Sequence, residues 1–372
     1  MISAIILNYF CANDTLSAVL SLLPDLDNDG FLEIHVVDNS VSCDQATVLG
    51  KSLDQRVKLI LNRENTGFGR ACNQVVQRTD SDYVLLLNPD AKLLPGALVL
   101  LHQFLEANPD VGAVGPIVYW DETRTFLLPP NIYPYRWLDL MRDKSRLVRN
   151  VYSRLWRWKA VRYWQRKQPI EQKTLSGGHV LLRRSAIEHA GGLFDPGFFM
   201  YFEDTDLFSR LRKAGYKLFM FPAAVAIHQF GGTAKDRMDW KQRLFAESAR
   251  LFAQKYRYWQ PIECLIGTLS KYMPSAPQTF NGTDLGELSA APSFEIPEDL
   301  CNGWLAEWSL QADFSPAAGW RSKGRNLKVS RSLWDHIPDG DHFLRIGQPG
   351  VFGRTVNQYR WRTNHQNGGQ IS

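Results

Sequence analysis

The run Ala4-Ile-Ile-Leu-Asn-Tyr9 is apolar up to Leu7 and then abruptly polar, and the chain repeats that change three more times. Glu33-Ile-His-Val-Val-Asp-Asn-Ser40, Val57-Lys-Leu-Ile-Leu-Asn62 and Tyr83-Val-Leu-Leu-Leu-Asn-Pro-Asp90 follow the same plan. Short runs rich in Ile, Val and Leu read as strands, here Ser3–Leu7, Glu33–Val37, Val57–Leu61 and Tyr83–Leu87, with Val111–Val118 as a fifth. Between them Asp14–Leu23, Asp44–Leu53, Gly67–Arg78 and Pro95–Asn108 carry helical spacing or a helix-starting residue. Alternation of this kind predicts an α/β fold whose mostly parallel sheet is flanked by helices on both faces. Ligands of such sheets bind beyond the carboxyl ends of the strands, where the polar residues lie.

The bulk properties are permissive. A chain of 372 residues accommodates two or three domains. Its net charge of +5 calls for no nucleic-acid partner. Five cysteines, Cys11, Cys43, Cys72, Cys264 and Cys301, are scattered without a C-x-x-C pair. That speaks against a zinc site or a secreted disulfide framework and suits a reducing compartment. The N-terminus has no basic start and reads as a first strand. No apolar run approaches the roughly 20 residues of a membrane span. These features together predict a cytoplasmic protein.

Further along, the composition changes. Residues 136–167 interleave Arg and Lys with Trp137, Trp156, Trp158 and Trp164, and Leu147, Val151, Leu155 and Trp158 recur at helical spacing. This predicts a basic, amphipathic insert. A second α/β stretch follows, with a strand at His179–Leu182, helices at Ser185–Ala190, Thr205–Ala214 and Trp240–Tyr258, and extended pieces at Lys217–Phe221 and Val225–His228. Residues 1–258 form one expected domain. Residues 259–297, rich in Pro, Ser, Gly and Ala, are an expected linker. Residues 298–372, with aromatic runs at Trp304–Trp308, Phe343–Ile346 and Tyr359–Trp361, form an expected small β-sandwich-like module with a frayed tail. Exposed Trp304, Trp308, Trp320 and Trp334 would suit sugar stacking, although Trp in small β-modules more often lies in the core.

The strand ends hold the candidate nucleotide-binding groups: Asn8 and Tyr9, Asp38 and Asn39, then Asn65, Gly67, Phe68, Gly69 and Asn73, then Asn88. A carboxylate such as Asp38 can accept from the imide N–H of a uracil or thymine ring, or from a ribose hydroxyl. Gly67 and Gly69 let a backbone approach a ligand closely at a helix start, where free N–H groups favour anions. Asp38-Asn39-Ser40 also fits a plain turn with Asx hydrogen bonding. A dinucleotide fingerprint does not fit, because Cys72 stands where its third glycine belongs and the acidic residue precedes the glycines.

Taken in order, Asn-Tyr, Val-Asp-Asn-Ser, Asn-x-Gly-Phe-Gly-x-Ala-x-Asn and Leu-Leu-Asn-Pro-Asp resemble family-2 glycosyltransferases, most closely the bacterial rhamnosyltransferase-like branch. Gly177-Gly-His-Val-Leu-Leu-Arg-Arg184, Gly191-Gly-Leu-Phe-Asp-Pro-Gly-Phe-Phe-Met-Tyr-Phe-Glu-Asp-Thr-Asp-Leu207, Arg210, Gly215-Tyr216 and His228 with Gly231-Gly-Thr233 continue the series. The resemblance covers roughly residues 3 to 257. It implies a GT-A-type nucleotide-binding sheet and inverting sugar transfer in cell-surface polysaccharide assembly. The implied donor is dTDP-rhamnose or a UDP-sugar, and the implied acceptor a glycan or a polyprenyl-diphosphate-linked glycan. It also implies an Mg²⁺ or Mn²⁺ ion, with Asp90 and His228 as ligands. Asn88 stands where the family's Asp-x-Asp motif begins, so Asp90 alone supplies a carboxylate there.

By the same resemblance Asp204 is the general base, while Glu203, Asp206 and Tyr201 orient neighbouring groups or bind the acceptor. Flanking aromatic residues raise carboxylate basicity. Acidic residues also favour helix N-termini, so capping alone is an open alternative. For residues 136–167 two readings stand: a solvated helix packed on the catalytic domain, or an interfacial helix that meets anionic lipid on the inner face of the plasma membrane. The non-enzymatic alternative for the whole chain is a nucleotide-sugar or glycan-binding protein. A nucleotidyltransferase would carry a basic glycine-rich loop after strand one, where Asn8-Tyr-Phe-Cys stands. In a glycoside hydrolase two carboxylates flank the bond from opposite sides, which sequence neighbours cannot do.

Overall fold

The computed structural model describes residues 1–27, 30–131, 141–229, 238–256, 260–273 and 280–364. The first strands and helices are β1 (Ile2–Asn8), α1 (Ala12–Leu26), β2 (Leu32–Asp38), α2 (Cys43–Ser52), β3 (Lys58–Leu61), α3 (Phe68–Val76) and β4 (Tyr83–Leu87). There follow β5 (Ala91–Leu93), α4 (Ala97–Ala107), β6 (Val111–Tyr119), α5 (Arg146–Trp164), β7 (Ile170–Glu171) and β8 (His179–Arg183). The large unit closes with α6 (Arg184–His189), α7 (Glu203–Lys213), β9 (Lys217–His228) and α8 (Met238–Lys255).

These strands form one sheet in the order β3-β2-β1-β4-β8-β6-β9-β5, with β7 paired to β9. The half from β3 to β4 is parallel. β8 runs antiparallel between β4 and β6, and β5 antiparallel to β9. Every residue of β4 is buried, as expected of a strand covered on both faces. One core lies on the side of α1 and α4, with Leu22, Leu98, Leu101 and Leu105. A second lies on the side of α3, α6 and α7, with Val75, Ile187 and Leu211. The two extended pieces expected at 217–221 and 225–228 are one strand, β9, whose register against β6 shifts between Pro116 and Ile117.

The C-terminal region departs from the expected linker. Within 259–297 the chain forms α9 (Gln260–Tyr272), β10 (Thr283–Leu288) and β11 (Ser293–Glu295). Then come β12 (Trp304–Ser309), β13 (Ala318–Ser322), β14 (Asn326–Lys328), α10 (Arg331–Trp334), β15 (Gly340–Gly347) and β16 (Thr355–Thr363). A five-stranded sheet, β10-β16-β15-β12-β13, and a two-stranded one, β11-β14, result. Pairing satisfies backbone groups that a free linker would leave to water. Trp304, Trp308, Trp334 and Trp361 are buried in the core of this module. The first three therefore pack rather than stack on sugars. The end of the helix expected at Trp240–Tyr258 and the frayed tail fall partly outside the described residues.

Leu127 joins the two sheets. Its amide donates to the Gly319 carbonyl at 2.8 Å and its carbonyl accepts from the Gly319 amide at 2.9 Å. A Cβ at Gly319 would lie 2.4 Å from the Trp164 ring, so only glycine lets α5 pack there. Arg157 of α5 and Arg345 of β15 both bond the fully buried Glu307 carboxylate, at 2.8 Å each. The module is thus built onto the large sheet.

Candidate active site

The polar strand ends meet at one edge. Pairing of β1 with β2 sets Asn8 opposite Asp38, and Asn8 Nδ2 donates to Asp38 Oδ1 at 2.8 Å. Asn8 Oδ1 accepts from the Cys11 amide and the Thr15 hydroxyl, tying α1 to the strand end. With no exposed surface, Asn8 orients Asp38 and does not reach a ligand itself. The Ser40 amide donates to Asp38 Oδ1 at 3.0 Å, so the Asx turn is present. Tyr9, half-buried, stacks with Trp240 at a ring separation of 6.5 Å.

Asn39 organises the next loop. Its amide group donates to Asn65 Oδ1 and to the Gly67 carbonyl, and its oxygen accepts from Asn62 and Thr66. Asn65 accepts from the Gly67 amide at 3.0 Å. Gly67 has φ +80°, and a Cβ on it would lie 2.4 Å from the Phe199 carbonyl oxygen. The neighbour that Gly67 admits is therefore the protein's own Phe199, whose carbonyl accepts from the Phe68 amide at 3.0 Å. A Cβ at Gly69 would meet Phe194 at 3.1 Å. Asn73 exchanges two hydrogen bonds with the Phe194 backbone, at 2.8 and 3.0 Å. These residues, expected to face a donor, lock the acidic segment against α3.

That segment is strained just before α7. Tyr201 and Phe202 have φ of 71° and 65°, a conformation that costs about 1–3 kcal/mol per residue. It delivers Asp204 to the Gly177 amide, which donates to Asp204 Oδ2 at 3.1 Å. The Thr205 amide donates to Oδ1 at 2.6 Å. A Cβ on Gly177 would lie 2.9 Å from that of Asp204, and one on Gly178 would lie 2.6 Å from Asn88 Nδ2. The Asn88 amide in turn donates to the Gly178 carbonyl at 2.8 Å. The glycine pair thus brings Asp204 and the end of β4 together.

Burial pushes the Asp204 carboxyl above the usual carboxylate range, against those amide hydrogen bonds. Burial and then the Asp204 charge push the neighbouring Glu203 up as well. Glu203 Oε2 is buried and finds no hydrogen-bond partner among the described residues. Asp206 differs from the expectation of an acceptor-binding group. It is fully buried and held by Arg210 and Lys255, each at 2.8 Å, and by the Tyr256 hydroxyl at 2.8 Å. Its charge is neutralised inside the fold, so it fixes α7 to α8. Tyr201 packs edge-on against Phe245.

Antiparallel pairing of β5 with β9 sets Ala91 opposite His228 and brings Asp90 Oδ1 to 3.1 Å from His228 Nε2. Burial opposes ionisation of Asp90, but the hydrogen bond and charge of His228 prevail and hold its carboxyl below the usual range. His179 stands across the pair, its ring 5.5 Å from that of His228. Burial, then the His228 charge, lowers its pKa to about 3, so its imidazole stays neutral. A carboxylate oxygen beside imidazole nitrogen fits a divalent cation of the Mg²⁺ or Mn²⁺ kind. Among the described residues no group of three or more His, Cys, Asp and Glu is arranged for a metal. Nothing in the sequence pattern separates His179 from the apolar strand it begins. Gly231-Gly-Thr233 lies outside the described residues.

The family model described as Glycosyl transferase family 2 matches residues 3–191. The N-acetylglucosaminyl-diphospho-decaprenol L-rhamnosyltransferase of Mycobacterium tuberculosis is 30% identical over 187 residues, which cover 46% of this chain and 58% of that protein. Rhamnosyltransferase WbbL of Escherichia coli is 28% identical over 173 residues, covering 44% of this chain and 60% of that one. The chain therefore spans less than two thirds of the length of these curated relatives. Among solved structures, the mannosyltransferase PcManGT from Pyrobaculum calidifontis, in complex with GDP-Man and Mn²⁺, is 18% identical with a TM-score of 0.45, covering 69% of this chain and 64% of that one.

Proposed function

The chain belongs to glycosyl transferase family 2, and from that membership we propose an inverting transferase that moves a sugar from a nucleoside-diphosphate donor to an acceptor hydroxyl. The observation that carries the reading is the Gly177-Gly178 pair, which holds Asp204 on one side and Asn88, two residues before Asp90, on the other. Asp204, which we assign as proton acceptor, and the Asp90–His228 pair, which we assign to the cation, are thereby tied through one glycine pair to the end of the sheet where ligands bind.

In the transfer the acceptor oxygen bonds to the anomeric carbon from the face opposite the nucleotide. The bond from that carbon to the diphosphate oxygen breaks, its electron pair leaving with the diphosphate, and the acceptor proton passes to Asp204. A divalent cation held by Asp90 and His228 would supply positive charge to the departing diphosphate. Asp38 accepts from the base or ribose, while Asn8 holds it in place. The half-buried position of Asp204 limits water near the base, and the raised Glu203 keeps a second negative charge from building up beside it.

Both curated relatives are rhamnosyltransferases by name, which makes dTDP-rhamnose the first donor to test and UDP-sugars the second. A glycan acceptor linked through diphosphate to a polyprenyl chain is the acceptor class to test first, because the name of one relative includes such a carrier. No helix among the described residues is long and apolar enough to cross a membrane. The test is nucleotide release from a panel of dTDP- and UDP-sugars with and without Mn²⁺. Metal-dependent release from at least one donor is expected, and none from any donor would overturn the reading.

A further inference from the structure

A cleft of about 280 Å³ lies where the large sheet meets the C-terminal module. His179 and His228 line it from the large sheet and Trp120 from the end of β6. Trp308, Gln311 and Pro316 line it from the module. Ser176, which also lines it, precedes the glycine whose amide bonds Asp204. The cleft therefore reaches from His228, and from Ser176 beside the glycine that bonds Asp204, to a region outside residues 3–191, which the family model matches.

Its chemistry is mixed in a particular way. The walls are mostly aromatic and aliphatic, as in small-molecule sites generally. Three lining residues carry a buried polar atom that has no hydrogen-bond partner among the described residues: Trp120 Nε1, His179 Nδ1 and Gln311 Oε1. Trp120 and His179 are each more than nine-tenths buried. Buried polar atoms are nearly always paired, so three such atoms around one cleft point to a ligand that pairs them. One is a donor, one an acceptor, and the neutral imidazole nitrogen is either, according to its tautomer.

We propose that this cleft is the subsite for the acceptor sugar, with the C-terminal module supplying one of its walls; this rests on the transferase reading above. A pyranose ring has an apolar C–H face that lies against the aliphatic wall formed by Leu128, Leu310 and Pro316. Its rim of hydroxyls both donates and accepts, which satisfies Gln311, Trp120 and His179 together. A prenyl chain satisfies none of the three. The sugar hydroxyl that reacts then projects past Ser176 toward Asp204.

The test uses the intact chain and methyl pyranosides (glucoside, N-acetylglucosaminide and rhamnoside) as probes, read by saturation-transfer NMR and by quenching of Trp fluorescence. At least one pyranoside is expected to bind. Gln311→Ala should weaken it roughly three- to tenfold, the weight of one neutral hydrogen bond. Leu310→Glu places a charge at an exposed position on the cleft and should weaken binding without threatening the fold. In turnover assays both variants should raise the acceptor KM more than they lower kcat. Equal pyranoside affinity in the wild type and both variants would overturn the proposal, as would farnesol competing for the same Trp signal while no sugar does. Donor turnover that is insensitive to both variants overturns the subsite alone. Absence of nucleotide release from every donor overturns the transferase reading and the acceptor assignment with it.

Discussion

At the scale of single residues, Asp204 is held between two opposed influences. Backbone amides from Gly177 and Thr205 favour its ionised form, while burial disfavours it. Burial prevails, leaving a carboxylate more basic than one in water. Asp204→Asn should lower turnover roughly 10²–10⁴-fold, the usual weight of a general base, while donor affinity, read by titration with the nucleotide, is retained. The base works only when ionised. Turnover should therefore fall, as pH is lowered, at a value above the ordinary Asp range of about 3.9. Asp204 was legible as acidic residue in a motif, and its neighbour Asp206 looked no different. What separates them is the partner set: Arg210 one helical turn on, and Lys255 and Tyr256 some fifty residues away. Only the fold brings the last two in.

At the scale of the element, α5 shows why helical spacing alone leaves two readings open. Its Leu147, Val151, Leu155 and Trp158 are 73, 47, 62 and 42% exposed. The opposite side, with Trp156, Ala160, Tyr163 and Trp164, is buried against both the large sheet (Ile117 and Met220) and the C-terminal module (Leu305 and Phe343). The apolar stripe seen in the sequence is thus the outward one. Arg146, Arg154, Lys159 and Arg162 are exposed on the same helix. An exposed apolar stripe among cations matches the surface of an anionic bilayer. We expect the protein to sediment with anionic vesicles at low salt and less at high salt. Leu155→Glu should weaken that binding at least about tenfold, since burying one Leu is worth about 1.5–3 kcal/mol. No binding to anionic vesicles by the wild type would remove the lipid role and leave a helix that only packs. Trp156 and Trp164 lie on the buried side of the helix and Trp158 on the exposed one.

At the scale of the molecule, Glu307 ties α5 to the C-terminal sheet. It is fully buried between Arg157 and Arg345, themselves nearly buried. Burial opposes its ionisation, but the two guanidinium groups hold its carboxyl below the usual range. Glu307→Gln strands two buried cations and should cost about 3–5 kcal/mol, measured by denaturant unfolding of the intact chain. The carboxyl is depressed in the fold, so its contribution is complete above the unfolded Glu value of about 4.3 and is lost as pH falls through the lower folded value. A stability profile flat through the acid range would show that the triad contributes nothing. Arg157, Glu307 and Arg345 lie in three separate segments, which is why no local pattern marks them.

The sequence by itself determined the α/β alternation, the polar strand ends and the order of motifs, because strand period, helix spacing and turn chemistry are local properties. It placed Asp38, Asp90, Asp204 and His228 in a series. Tertiary structure decided which of the polar residues serve the fold. Asn8 and Asn73 fasten elements, Gly67 admits Phe199, and Asp206 is neutralised inside the protein. It also turned the expected linker into strands, and brought His179 beside His228 and the C-terminal module up to both. These are pairings between residues distant along the chain. Their energies come from burial and from partners that exist only once the backbone has closed on itself.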